Sequence, residues 1–209
     1  MKKILSVLLV FLMLFSAFAF VGCEYDKGRD NNKKTTEDDI TDIVNDYIDK
    51  LDAEAFDNMQ VTSNNEGHIE VFAFDAEESV GYYKEIYQDG TINQGWAKMR
   101  ENGDAYLVAD ENGDRTALDL STADYYEFLS GLRDSAYDYA REGISYLEFV
   151  LNGDYEATLK NDMLKITAQG YDGSEWSFTF ENGLLTKANI WATDSITIEY
   201  DIEINVPRI

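Results

Sequence analysis

The residues best suited to chemistry are few in kind: one thiol, Cys23, one imidazole, His68, and 41 carboxylates among 209 residues. With a single histidine, a triad or a zinc site built on histidine spacing is excluded or severely limited. His68 opens a predicted strand and reads as a surface residue. Gly143-Ile144-Ser145-Tyr146-Leu147 lacks the second glycine of a nucleophile elbow. No phosphate loop or dinucleotide fingerprint occurs. Asp110, Asn112 and Asp114 have the alternation of a calcium loop. However, Arg115 stands where that loop needs glycine, and Ser121 where it needs a bidentate glutamate, so the stretch reads as a hairpin turn. So many acids always offer some pair for glycoside hydrolysis, and without a placed cleft none is singled out. Trp96, Trp176 and Trp191 could stack sugars or line a lipid cavity, although such aromatics more often form core. No catalytic residue, metal ligand or cofactor is assigned.

Cys23 carries the sharpest signal. Lys2 and Lys3 precede an apolar run from Ile4 to Phe15, and Ser16, Ala17 and Ala19 are small residues before a cleavage point. Phe20-Val21-Gly22-Cys23 resembles the lipobox of bacterial lipoproteins, with Phe20 where leucine is usual. The resemblance implies diacylglyceryl transfer to the Cys23 thiol, cleavage before it, and a fatty-acid anchor on the extracytoplasmic face of the cell membrane. Two other readings stay open. Ala17-Phe18-Ala19 could be an ordinary secretory site that leaves a free thiol, or residues 4–21 could remain as an uncut anchor. On the lipobox reading, residues 1–22 are the signal peptide and 23–35 a flexible tether with nothing to bury, spanning roughly 20 Å.

Loss of the leader removes two lysines and leaves 15 basic against 41 acidic residues, a net charge of −26. Such a field repels phosphate backbones, so nucleic acid is excluded as a partner.

The elements that position any site are legible from periodicity. Thr36 and Asp39 form a capping box, and Ile40, Ile43, Val44, Tyr47, Ile48, Leu51 and Ala55 follow at helical spacing to about Phe56. A second helix is expected over 121–143, with Ser121 and Asp124 at its cap and Leu120 stapling to Tyr125. Leu129, Leu132, Ala136 and Ala140 lie on its stripe, and Gly143 is its stop. Between them, turns at Asp89-Gly90, Asn102-Gly103 and Asn112-Gly113, and after the second helix at Asn152-Gly153, Asn161-Asp162, Asp172-Gly173 and Asn182-Gly183, mark hairpins. Predicted strands include Ile69–Phe74, Tyr82–Tyr87, Ile92–Met99, Ala105–Ala109, Tyr146–Leu151, Tyr155–Lys160, Leu164–Gln169, Trp176–Glu181 and Leu185–Trp191. The last is an eleven-residue alternation from Ile196 to Val206.

The fold class is therefore α+β. We expect a long-stranded, curved antiparallel meander, half-barrel-like, covered by an N-terminal helix and a central helix, in one domain over 36–209. This layout, with a last strand ending Ile202-x-Ile204-x-Val206-Pro207, resembles the LolA-like lipoproteins over residues 36–207. The resemblance implies a half-open barrel whose apolar concave face receives acyl chains or another apolar ligand. Expected ligand contacts are Leu132, Trp176, Phe178, Trp191 and Tyr200. The expected function is non-enzymatic binding of an apolar small molecule, a lipid or an envelope protein by a membrane-anchored surface lipoprotein. The alternatives are an interaction lipoprotein with a filled core and no ligand, and a carboxylate-dependent cell-wall hydrolase.

Overall fold

The computed structural model describes residues 36–208, all within one compact unit. The leader 1–22, Cys23 and the tether 24–35 lie outside the described residues. Helix α1 (Glu37–Asp52) begins at the expected capping box: Thr36 Oγ1 accepts from the Asp39 amide, and Asp39 accepts from the Thr36 amide at 3.0 Å. Its buried stripe is Ile40, Val44, Tyr47 and Leu51. Six strands follow: β1 (Asn58–Asn65), β2 (His68–Asp75), β3 (Val80–Ile86), β4 (Ile92–Met99), β5 (Ala105–Glu111) and β6 (Asp114–Leu120). Helix α2 (Thr122–Leu151) interrupts them, and β7 (Tyr155–Lys160), β8 (Met163–Gln169), β9 (Glu175–Glu181), β10 (Leu184–Ile190) and β11 (Asp194–Tyr200) complete the chain.

All eleven strands form one open antiparallel sheet in the order β6-β5-β4-β3-β2-β1-β11-β10-β9-β8-β7. Each half is a meander of sequential hairpins. At Asn112-Gly113 and Asn182-Gly183 both turn residues have positive φ, the primed-turn geometry that matches strand twist. The halves meet where β1 pairs with β11, with Val61 opposite Ile198 and Met59 opposite Tyr200. The free edges are β6, exposed along almost its whole length, and β7.

Several expectations need correction. Helix α2 does not stop at Gly143. It runs to Leu151 and absorbs Tyr146–Leu151, a stretch whose β-forming residues predict a strand. The buried positions Ala136, Ala140, Ile144, Leu147 and Val150 continue the helical period without a break. Gly143 is instead a contact point. A Cβ there would sit in ordinary contact, 3.5 Å from Leu185 and 3.7 Å from Ala188, so Gly143 faces β10 and the helix runs through it. Strand β1 is not among the predicted strands: its buried positions Met59, Val61 and Ser63 alternate with polar residues, and its turn is Glu66-Gly67 rather than Asn-Gly. Strand β6 is not among them either, being charged and exposed.

The strands are six to eight residues, not long. The eleven-residue alternation ends as a strand at Tyr200, because Asp201 adopts φ +54°. Ile202 is then held by a side chain: its amide donates to Asn58 Oδ1 and its carbonyl accepts from Asn58 Nδ2, both at 2.8 Å. Among the described residues no helix is long and apolar enough to cross a membrane.

The main core joins both helices to β1, β2 and β8–β11. Tyr47 of α1 meets Phe180 edge-on at 5.7 Å, and its hydroxyl is hydrogen-bonded to that of Tyr200 at 2.8 Å. The Tyr137 hydroxyl of α2 takes the Phe56 amide at 2.8 Å and donates to its carbonyl at 3.1 Å. Arg133 donates to the Glu54 carbonyl at 3.0 Å.

Trp176, fully buried, sets the tightest constraint. A Cβ at Gly170 would come within 2.2 Å of its Nε1 and 2.7 Å of Asp172 Oδ1. Gly170→Ala must therefore push the 170–174 turn off the indole. We expect a loss of about 1–3 kcal/mol in a denaturant melt, with the Trp emission shifted to the red.

Candidate functional site

The two halves of the sheet present different side chains on the face that carries the core. On β8–β11 that face bears Ile166, Trp176, Phe178, Phe180, Leu185, Ile196 and Ile198, all buried. On β3–β5 the same face carries Gly81, Gly95, Ala97, Ala105 and Ala109. The register aligns them in rows, Phe72–Tyr83–Gly95–Ala109–Thr116 and Phe74–Gly81–Ala97–Leu107–Leu118. Small residues leave depth that the helix does not fill everywhere. Tyr125 of α2 is fully buried against Ala97 and Ala105. Leu132 sits over Gly81, where a Cβ would meet its Cδ1 at 2.6 Å.

Beside these contacts runs a groove of about 730 Å³, walled by Tyr83, Gly95, Leu107, Ala109, Thr116 and Phe128. A second, shallower one of about 570 Å³ shares Tyr83 and Phe128 and reaches Phe72, Gly131 and Leu132. The volumes fall in the range of small-molecule sites.

One end of the groove is polar. The next row of the same face reads Glu70–Glu85–Asn93–Glu111–Asp114. Glu70 and Glu85 stand directly opposite each other, an arrangement that costs stability unless the charges are compensated. Glu85 accepts from the hydroxyls of Tyr83 and Tyr87, each at 2.6 Å, and lies 2.9 Å from His68 Nε2; Glu70 accepts from Tyr139 at 2.5 Å. The Tyr83 and Tyr87 hydrogen bonds hold the Glu85 carboxyl below the usual range. Burial, then the bond to Glu70, pushes the Tyr139 phenol up to about 12.

A separate aromatic cluster lies at the C-terminal end of α2. Trp176 packs edge-on against Tyr171 at 5.1 Å and Tyr146 at 5.6 Å, and Trp191 touches the same two rings at 6.1 and 6.4 Å. Tyr171 and Phe149 are 67% and 56% exposed, and Trp191 39%. Trp191 also has φ +64°, which is costly for a bulky residue.

The structure thus separates the expected ligand contacts. Trp176 and Phe178 are fully buried, and Tyr200 is hydrogen-bonded to Tyr47 and to the Leu185 carbonyl. Trp191 belongs to the aromatic end, and only Leu132 borders the groove system. Sequence reasoning missed Tyr83, Gly95, Leu107, Ala109 and Phe128. The available signal was the run of glycine and alanine inside predicted strands. Among the described residues no group of three or more His, Cys, Asp and Glu is placed to hold a metal ion. No family model, curated protein or solved structure matches this chain.

Glu85 links this site to pH. Its folded-state pKa is lowered, so the stability it contributes is complete above the unfolded value of about 4.3 and is lost as pH falls through the folded value. Glu85→Gln should cost about 1–2 kcal/mol at pH 7, since three donors lose an ionised acceptor and this outweighs relief from Glu70. The gap to the parent should close as pH is lowered below about 4 in parallel urea melts. An equal gap at pH 7 and pH 3 would show that the carboxylate is not the cause.

Proposed function

We propose that this chain is a non-enzymatic, membrane-anchored surface lipoprotein that takes an apolar ligand in the groove over β3–β5. In this reading the sheet is half-barrel-like, both helices lie over its apolar face, and Cys23 carries the anchor outside the cell membrane. The observation that carries it is the asymmetry of the sheet: large side chains fill one half, whereas glycine and alanine floor the other beside Phe128. An acyl chain or similar apolar body suits such a floor, because burial of its methylenes is favourable and needs no directional partner.

A second reading has its own support. The exposed rings of Phe149, Tyr171 and Trp191 suit contact with an envelope protein, and the filled half of the core suits an interaction module. The Glu70–Glu85 pair lends little support to a hydrolase, because a general acid needs a raised carboxyl pKa and that of Glu85 is lowered. The charge of −26 after leader removal argues against nucleic acid as a partner.

Gly95→Leu tests the groove. A Cβ there meets only ordinary contacts, 3.5 Å to Leu107 and 3.7 Å to the Val108 carbonyl, so the backbone accepts it while the side chain occupies the groove. The parent should bind an apolar fluorophore, and Gly95→Leu should weaken it by about tenfold or more, equivalent to about 1.4 kcal/mol. Trp191→Ala should leave it unchanged. A parent that binds no probe, or a Gly95→Leu variant that binds as the parent does, would reject the groove.

Cys23→Ala tests the anchor separately. It should release the protein from the membrane fraction or leave the leader uncut. Membrane retention with a cleaved leader would reject lipidation.

A further inference from the structure

We propose that a second pocket, at the end of the β1–β11 seam, binds a neutral sugar ring. It is separate from the groove over β3–β5 and does not rest on the apolar-ligand reading. The core face of the seam changes character along its length. Met59 and Val61 of β1 are buried and apolar. The next position on that face is Ser63, 9% exposed, between Ile196 of β11 and Glu70 of β2. One row further on, Asn65 faces His68, and Ile190 faces Asp194. Over these rows α2 brings Tyr139, Glu142 and Tyr146, whose spacing of three and four residues puts them on one side of the helix. Between helix and seam lies a pocket of about 220 Å³, with Trp191 of the β10–β11 turn in its wall.

The lining combines aromatic rings with groups that hydrogen-bond a polyol. Trp191 and Tyr146 have ring centroids 6.4 Å apart and planes 74° to each other, so they form a corner. Tyr146 is braced in turn by Trp176, edge-on at 5.6 Å. Trp191 is 39% exposed and has φ +64°, so a bulky residue is kept at the pocket in a conformation that costs free energy. The C–H face of a pyranose packs against aromatic faces, which are electron-rich. The carboxylates are fixed by the protein: Glu70 accepts from Tyr139 at 2.5 Å, and Asp194 Oδ1 accepts from the Glu66 amide at 3.2 Å and the Thr193 hydroxyl at 3.0 Å. Each has a second oxygen to accept a ligand hydroxyl, a charge-assisted bond. Ser63 and Asn65 add groups that both donate and accept.

Size and charge narrow the class. The volume is below that of drug-sized sites, so a single ring fits and an extended ligand does not. An anionic sugar would meet Glu70, Glu142 and Asp194, and among the described residues no lysine or arginine lines the pocket to offset them. A cation would use the carboxylates and the rings but would leave the donors of Ser63 and Asn65 idle. The hydroxyls of a neutral sugar serve donors and acceptors alike.

The test is a ligand-observed NMR titration of the full chain at neutral pH. The probes are the methyl glycosides of glucose, galactose, mannose and N-acetylglucosamine, beside methyl glucuronoside and choline. At least one neutral glycoside should bind with a Kd on the order of 1 mM, as suits a ligand of about a dozen heavy atoms. The glucuronoside should bind about tenfold or more weakly than that glycoside. Trp191→Ala removes the stacking ring and Ser63→Val the hydroxyl at nearly constant volume, and each should weaken that glycoside by about fivefold or more. A denaturant melt of Ser63→Val at or above the parent midpoint shows that the loss is of the site and not of the fold. Binding of no neutral glycoside overturns the inference. So does binding of choline or the glucuronoside more tightly than every neutral glycoside. Glycoside binding that survives both substitutions lies elsewhere on the molecule and overturns it as well.

Discussion

The pairing of β1 with β11 is the interaction on which everything else depends. Each half of the sheet is a local meander, and only this seam makes them one surface. The strands that meet there are separated by nearly the whole domain, so a large loop must close before the contact stabilises anything. The seam is reinforced on the core side by Met59, Val61, Ile196 and Ile198, all buried, and at its end by the Asn58 amide, which stands in for a peptide group against Ile202. Helix α2 packs along β1, β2, β3 and β11, so it lies over the junction of the two halves. Its long stripe is useful only once both halves are in place.

The two ends of that helix do different work because of the residues beneath them. Toward its C-terminus, Gly143 faces Leu185 and Ala188 of β10, and Ile144, Leu147 and Val150 are buried. Toward its N-terminus, Tyr125 seals against alanines, but Phe128 and Leu132 look across a floor of glycine and alanine. The groove is therefore a consequence of residue volume on the strands, not of an irregularity in the backbone.

Much of this architecture is legible in the amino-acid sequence. Both N-terminal caps are as the sequence implies, since a side-chain oxygen three residues ahead of an acid is a local signal that tertiary packing does not override. The turns at Asn112-Gly113 and Asn182-Gly183 form for the same reason. The failures have a common origin: each depends on a contact remote in sequence. Gly143 looks like a stop unless one knows that β10 lies beneath it. Strand β1 looks like a polar linker until β2 and β11 are placed on either side. The end of β11 is set by Asp201 and by Asn58, which lies 144 residues from Ile202 in the chain. The groove is hidden in the same way, because alternating small residues in separate strands become a floor only once the register aligns them.

An open sheet leaves two edges, and their composition governs how copies of the molecule treat one another. Strand β6 carries Asp114, Arg115 and Asp119 in the open, and β7 alternates Glu156 and Lys160 with half-buried residues. Charged, solvated edges resist joining into a continuous ribbon. The strong excess of acid adds long-range repulsion between copies. The same charges that keep β6 from recruiting a twelfth strand thus also hold whole molecules apart.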